Sequence, residues 1–177
     1  MFVKGVPPLI TDLKEMYTNS EKVKIIEEML LSNLKSMDLS QTLAGEEEEQ
    51  DPTVYLWLLF FTAQHFYLLR DFERALHYVN KGIEHTPTVI DLYVLKARIY
   101  KRAGDRVYAS KLYDEARKLD LADRYLNAVS SRFKIRADQV EDAEETMALF
   151  SKEGNELNVH DMQCMWYEIE VGNSYLR

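Results

Sequence analysis

Arginine side chains recur at the same place in successive segments of this 177-residue chain. The interval that separates Arg98 from Arg132 also separates Arg102 from Arg136. A planar guanidinium group binds phosphate or carboxylate through two parallel hydrogen bonds, so several of them along one groove can hold a polyanion. The residue types and their spacing therefore favour a groove for an acidic or polyanionic partner. A charged helix face that is merely solvated is the simpler alternative.

Nothing in the sequence has the spacing of a catalytic, metal or nucleotide site. The four histidines fall in separate segments and form no metal-ligand pair: His65, His77, His85 and His160. Cys164 has apolar neighbours and no histidine placed to activate it, which is typical of a small core residue. The Glu46–Glu49 run lacks the alternating acidic pattern of a calcium loop. We therefore expect a chain that is not an enzyme and has no metal or cofactor of its own.

A sequence repeat of fixed period organises the chain from residue 56 onward. Ala75, Ala109 and Ala143 are evenly spaced at the interval of the arginines, each in a similar local setting. This interval matches the period of about 34 residues that is typical of the tetratricopeptide repeat, in which each unit is a hairpin of two helices and the units stack on one another. The predicted fold is therefore all-α, with tetratricopeptide-repeat hairpins stacked as a right-handed solenoid.

Numbering the repeat shows which side chains share a face. The three units begin at Leu56, Ile90 and Arg124. Position 8, where the two helices approach closely, holds the small residues Ala63, Ala97 and Ser131. Position 2 of the first, third and fourth units holds the aromatic residues Trp57, Tyr125 and Trp166. Because first helices line the concave face of such stacks, the aromatic row and the arginines at positions 9 and 13 are predicted to share one groove.

The pattern divides the chain into three parts. Residues 1–37 are predicted to form an N-terminal helical hairpin, with its second helix ending at about Ser36, and residues 38–52 a mobile acidic loop. Residues 53–177 are predicted to form a solenoid segment, with repeats at about 56–89, 90–123 and 124–157 and a lone helix at 161–176. Because the pattern stops in the first helix of a fourth unit, we expect the chain to be an internal piece of a longer solenoid.

Composition narrows the class of partner and compartment. The net charge is −8, and five acidic residues fall between positions 46 and 51, so the chain is not expected to bind DNA non-specifically. A single cysteine excludes an internal disulfide and is typical of a reducing compartment. No apolar run approaches the roughly 18 residues that span a bilayer. The expected protein is soluble and cytoplasmic, with no membrane partner.

Five sequence segments are more specific than the repeat consensus requires. They are KGVPPL at 4–9, AQHF at 63–66, TPTVIDLYVLKARIYKRAGD at 86–105, ADRYLN at 122–127 and MQCMW at 162–166. Together they closely resemble the auxiliary, ribosome-anchoring subunit of the N-terminal acetyltransferase A complex. The similarity runs from about residue 4 to residue 177 and is interrupted at the acidic loop.

The resemblance implies a non-catalytic scaffold for co-translational N-terminal acetylation. It implies that a catalytic acetyltransferase subunit sits against the solenoid, that other parts of the full-length chain reach the ribosome, and that inositol hexakisphosphate sits at the subunit junction. The residues expected to contact the catalytic subunit are Arg124, Tyr125 and Trp166. The resemblance and the row of basic residues together predict a polyphosphate site. The residues expected there are Lys96, Arg98, Lys101, Arg102, Arg132 and Lys134.

A second reading of the same groove remains open. A free-standing tetratricopeptide-repeat adaptor would use it to bind a peptide and would have no catalytic partner. Co-purification with an acetyltransferase distinguishes the scaffold from the adaptor.

Overall fold

The computed structural model describes Gly5, residues 8–150 and residues 164–177. The helices in this part of the chain are α1 (Leu9–Asp12), α2 (Ser20–Ser40), α3 (Pro52–Leu68), α4 (Phe72–His85), α5 (Ile90–Ala103), α6 (Arg106–Leu119), α7 (Arg124–Arg136), α8 (Val140–Ala148) and α9 (Met165–Tyr175). A 3-10 turn at Lys14–Thr18 follows α1. No strand forms within these residues, so the prediction of an all-α fold is confirmed.

The period of the repeat appears directly in the helix boundaries. Helices α4, α6 and α8 begin at Phe72, Arg106 and Val140, each one repeat after the last. Their N-caps follow the same period, because the carboxylates of Asp71 and Asp105 accept hydrogen bonds from backbone N–H groups three residues later. Such capping satisfies N–H groups that have no partner inside the helix. Local capping signals thus mark the start of α4 and α6, whereas Gln139 before α8 makes no side-chain cap.

The turns inside the hairpins also repeat. Arg70, Gly104 and Asp138 occupy equivalent positions in successive repeats and have φ angles of 63°, 107° and 59°. In each turn the next residue donates its N–H to the carbonyl five residues earlier, which is the hydrogen bond of a Schellman motif. Glycine adopts this left-handed backbone freely, while for arginine and aspartate it costs about 1 kcal/mol each. The turn geometry is therefore kept even where the residue is unfavourable.

The chain divides into two compact units, Met1–Leu92 and Tyr93–Arg177. In the first unit α3 packs against both α2 and α4. Its apolar side chains are buried on all sides, including Leu58, Phe61 and Phe66. This burial explains why the apolar run from Trp57 to Phe61 is a helix although it has no polar face.

A buried polar network also lies in the first unit. The His65 side chain is fully buried, its Nδ1 atom is 2.8 Å from the hydroxyl of Tyr17, and its Nε2 atom is 3.5 Å from a carboxylate oxygen of Glu27. Burial lowers the pKa of His65, since a charged imidazolium loses its hydration there.

The acidic segment differs from its prediction. Helix α2 continues to Ser40, past the expected end near Ser36, because Asp38 is held by Tyr55 and by two contacts of 3.0 Å with Lys81. In the following loop, which was predicted to be mobile, Gln50 donates its backbone N–H to the carbonyl of Gln41. Thr42 and Glu49 form an isolated antiparallel bridge.

In the second unit α7 is the central helix. It packs against α6, α8 and α9. The small residues at the helix crossings are fully buried, as position 8 predicts for Ala97 and Ser131. Helix α8 ends at Ala148, and α9 begins at Met165. Residues 151–157 of the predicted third repeat and residues 161–163 of the predicted lone helix lie outside the described residues.

Candidate anion-binding and partner-binding surface

Basic side chains of α5 and α7 come together in the second unit. Lys101 is close enough to Arg136, Arg98 and Arg132 for their charges to act on it. Partial burial of the ammonium group lowers the pKa of Lys101, and the positive charges of these three guanidinium groups lower it further. Several basic side chains of α5 and α7 therefore act on one another in a chain that is acidic overall.

A cavity of about 520 Å³ opens beside this cluster. It is lined by Lys101, Arg106, Phe133, Arg136, Glu170, Asn173, Leu176 and Arg177. Four of the lining residues are cationic, and one among those described is a carboxylate. The Lys101 ammonium lies 5.2 Å from the centre of the Phe133 ring, which holds the lysine against the cavity wall. The cavity therefore has the charge and the size for a small polyanion.

Glu170 is the negative group of this site. Its two carboxylate oxygens accept hydrogen bonds of 3.1 and 3.0 Å from Nε of Arg136, and one of them also binds an Nη atom of Arg136. Nε of Arg132 is 4.0 Å from the same carboxylate. The hydrogen bonds from Arg136 lower the pKa of Glu170, so its side chain is ionised at neutral pH.

Trp166 lies beside the same cluster. The guanidinium carbon of Arg132 stacks 4.4 Å from the centre of a Trp166 ring. The indole is half-buried and packs against the core formed by Ile135, Ala143 and Tyr167. Trp166, predicted to anchor a partner, is therefore partly engaged within its own unit, where it also stacks with Arg132.

Tyr125 and Arg124 lie at the start of α7. The Tyr125 side chain is 64% exposed. Arg124 is also exposed, with its guanidinium carbon 5.6 Å from the centre of the Phe150 ring. Asp123 caps the helix by accepting hydrogen bonds from the backbone N–H groups of Tyr125 and Leu126, so the direction of the tyrosine is set by a well-formed helix start. Tyr125 is thus presented to solvent on a rigid element.

The structure does not bring all the predicted polyphosphate residues together. Lys134 is only 15% exposed, and its ammonium pairs with Asp114 at 3.1 Å and donates a 2.8 Å hydrogen bond to Thr146. It does not line the cavity. Lys134 is therefore accounted for by ion pairing between α6 and α7, although its repeat position suggested a side chain that faces a ligand.

The other predicted lysine and arginine lie beside the cluster on α5. Lys96 is half-buried and comes two residues before Arg98, so the two side chains do not share a helix face. Arg102 is exposed. Neither residue lines the cavity, and neither do Arg98 and Arg132. Of the six predicted polyphosphate residues, Lys101 is the one in the lining.

Three cationic residues of the cavity were not among the predicted polyphosphate residues. They are Arg106, Arg136 and Arg177. Arg136 and Arg177 share repeat position 13, so the repeat register already placed them in the basic row. Arg106 lies in the first turn of α6, outside the basic row, and only the packing of the helices reveals it.

Among the described residues there is no group of three metal-ligating side chains. Across the same residues no helix combines the length and apolar character that crossing a lipid bilayer demands.

Helical hairpins that recur at the repeat interval, with small residues buried where their helices cross, define a tetratricopeptide-repeat fold. The model of the family "N-terminal acetyltransferase A, auxiliary subunit" matches residues 1–177, so the chain belongs to this family. Its relatives are named as auxiliary subunits and not as catalytic ones.

Two curated relatives and one solved structure illustrate the similarity. The chain is 45% identical over 178 residues to the N-terminal acetyltransferase A complex auxiliary subunit NAA15 of Arabidopsis thaliana, covering 100% of this chain and 20% of the relative. It is 42% identical over 181 residues to N-alpha-acetyltransferase 16, NatA auxiliary subunit, of Homo sapiens, covering 99% and 21%.

The solved structure of Naa15/Naa10 bound to HypK-THB superposes with a TM-score of 0.85 at 33% identity, covering 100% of this chain and 26% of that one. The chain thus spans about a fifth of the length of the curated relatives it matches. The expected family and the tetratricopeptide-repeat fold class are confirmed.

Proposed function

We propose that this chain is part of a non-catalytic scaffold that binds and positions the catalytic subunit of a ribosome-associated N-terminal acetyltransferase. The match of the family model to the whole chain carries the proposal. The solved structure that pairs Naa15 with Naa10 supports it, because the region similar to this chain comes from a subunit seen in complex. A free-standing peptide adaptor has no comparable support.

The surface offered to the catalytic subunit is centred on Tyr125. Leu121 and Leu149 are also largely exposed. Leu121 comes just before α7 in the chain, and Leu149 comes directly after α8. An exposed tyrosine beside an arginine and apolar side chains is the composition of an energetic centre in protein interfaces. Arg124 and Tyr125 therefore contribute the main contacts, and Trp166 a smaller one because it is half-buried.

The basic cluster is proposed to bind a polyphosphate, with inositol hexakisphosphate as the structural ligand. Two observations support the proposal: Lys101 and Arg136 line the same cavity, and the charges of Arg98 and Arg132 act on Lys101. A bound anion would be attracted by the positive charges of these four residues. In this proposal the ligand adds negative charge at the subunit junction and so holds the basic helices in place.

Co-purification with the catalytic subunit tests the scaffold. We expect the wild-type chain to retain the catalytic subunit, and Tyr125→Ala to weaken the complex by about 2 kcal/mol or more. Tyr175→Ala, which removes another exposed tyrosine of the same unit, is the matched control and should bind normally. No retention of the catalytic subunit by the wild-type chain would contradict the scaffold function.

Calorimetric titration with inositol hexakisphosphate tests the ligand. The Arg98→Glu, Arg132→Glu double variant should lose binding, and wild-type affinity should fall steeply with added salt, since the Debye length is about 10 Å at 0.1 M. The Lys22→Glu, Lys24→Glu variant has the same change in net charge on exposed positions of α2 and serves as the control. Equal affinity of all three proteins would show that the basic row is only a solvated helix face.

A further inference from the structure

The anion site already contains an anion that belongs to the chain. Glu170 lies on α9, lines the cavity, and engages the Arg136 guanidinium with both carboxylate oxygens. The same carboxylate is 4.0 Å from Arg132, the guanidinium that stacks on Trp166. The place that a phosphate of the ligand would occupy on Arg136 is therefore taken by an internal carboxylate.

We propose that Glu170 is a built-in competitor that a polyanion must displace from Arg136, and that it thereby sets the minimum number of phosphate groups in a ligand of this site. The inference rests on the proposed polyphosphate function and adds its regulation. It assigns Glu170 a role in specificity, because ligands with too few charges cannot exchange with it.

The exchange explains why the number of phosphates matters. A ligand with one phosphate would replace one anion by another on Arg136 and gain little, since both make the same two parallel hydrogen bonds. A ligand with several phosphates reaches Arg136 together with Lys101 and Arg177, which line the same cavity. Glu170 has one carboxylate and cannot match those additional contacts. Selection by charge number follows from this difference.

The surroundings of Glu170 allow the exchange. The Arg132 guanidinium is held by the Trp166 ring at 4.4 Å, so it stays in place when the carboxylate leaves. Arg177 is held separately by Asp138, through hydrogen bonds of 3.0 and 2.7 Å. The cationic site therefore keeps these two groups positioned without Glu170.

The opposite role is a buttress, in which Glu170 holds Arg136 in the correct geometry for the ligand. The two roles predict opposite signs for one substitution. Glu170→Gln keeps the shape of the side chain but removes its charge. As a competitor, Glu170 weakens binding and its removal tightens it; as a buttress, its removal weakens binding.

Calorimetric titration of inositol hexakisphosphate and of inorganic phosphate into each protein decides the sign. We expect Glu170→Gln to bind the hexakisphosphate about tenfold more tightly than wild type and to bind inorganic phosphate measurably, which wild type should not do. Glu168→Gln makes the same change in net charge on the same helix, away from the cavity, and should leave both affinities close to wild type. Glu170→Asp keeps the charge but shortens its reach, and should also bind more tightly than wild type.

Each result has a distinct meaning. Equal or weaker hexakisphosphate binding by Glu170→Gln, with wild type still binding, overturns the competitor role and leaves the polyphosphate site intact. A gain as large in Glu168→Gln also overturns it, because the effect would then be one of overall charge. If Glu170→Gln binds the hexakisphosphate and the wild-type chain does not, the competitor role is supported. The proposal that the hexakisphosphate is a ligand of the wild-type chain is then refuted. No binding by any variant overturns both proposals.

Discussion

The Gly82→Ala substitution tests whether close helix approach is the reason for a small residue in this repeat. Gly82 lies in the buried face of α4, in the first unit. A Cβ atom added there would lie 2.9 Å from one terminal carbon of Leu92 and 3.3 Å from the other. Leu92 is fully buried, so its side chain has little room to move away.

Two opposing terms set the expected magnitude. Alanine is favoured over glycine in a helix interior by about 1 kcal/mol. Forcing an additional carbon into a packed core costs about 1–3 kcal/mol. Because the closer of the two contacts with Leu92 is shorter than packed carbon atoms tolerate, the second term prevails, and Gly82→Ala should lower the free energy of unfolding by about 1 kcal/mol.

Gly172 in α9 is the matched control. It is exposed, and among the described residues no atom outside its own helix surroundings would lie within 4 Å of an added Cβ. Gly172→Ala should therefore raise the free energy of unfolding by up to about 1 kcal/mol. The same change of residue is thus expected to have opposite signs at the two sites.

Urea unfolding followed by tryptophan fluorescence measures both effects. Trp57 reports on the first unit and Trp166 on the second, so single-tryptophan backgrounds separate the two. A Leu92→Ala background tests the mechanism. Without the terminal carbons of Leu92, Gly82→Ala should become stabilising. If Gly82→Ala stabilises the wild-type background as Gly172→Ala does, close approach is not the reason for glycine at this position.

Two further predictions concern ionisable groups. Hydrogen bonds from Lys118, Arg117 and Lys134 outweigh the opposing effect of burial and hold the pKa of Asp114 well below its ordinary value. Asp114→Asn should therefore lower the free energy of unfolding by about 3 kcal/mol at neutral pH, which is the lower end of the cost of breaking a buried ion pair. Asp138→Asn breaks an exposed pair with Arg177 and should cost much less. The Asp114 contribution is present above the unfolded pKa of about 4 and is lost as pH falls further, which acid unfolding will show. Burial lowers the pKa of His65 in the folded chain. As pH falls, the exposed histidine of the unfolded chain therefore binds a proton at a higher pH than the buried one, and the free energy of unfolding should fall as pH drops below about 6.5. His65→Asn should flatten that part of the stability curve measured by urea unfolding, and an unchanged slope would contradict the buried neutral imidazole beside Glu27.

Local chemistry let the sequence predict the helices and their period. Turn positions and small residues act over a short stretch of chain, so each recurs once per repeat and can be read without a structure. The starts of α5 at Ile90 and α7 at Arg124 agree with the predicted units. The repeat register also placed Arg98 and Arg132 at equivalent positions, and both act by their charge on Lys101.

Only the tertiary structure decided how the charged side chains are used. Lys134 shares its repeat position with large residues, yet it pairs with Asp114 on the preceding helix. Arg136 was visible in the register, but its partner Glu170 was not, since the two come from helices separated by a segment without repeat signals. Ion pairing depends on where flexible side chains from distant segments meet, and the repeat period determines the helices but not those meetings.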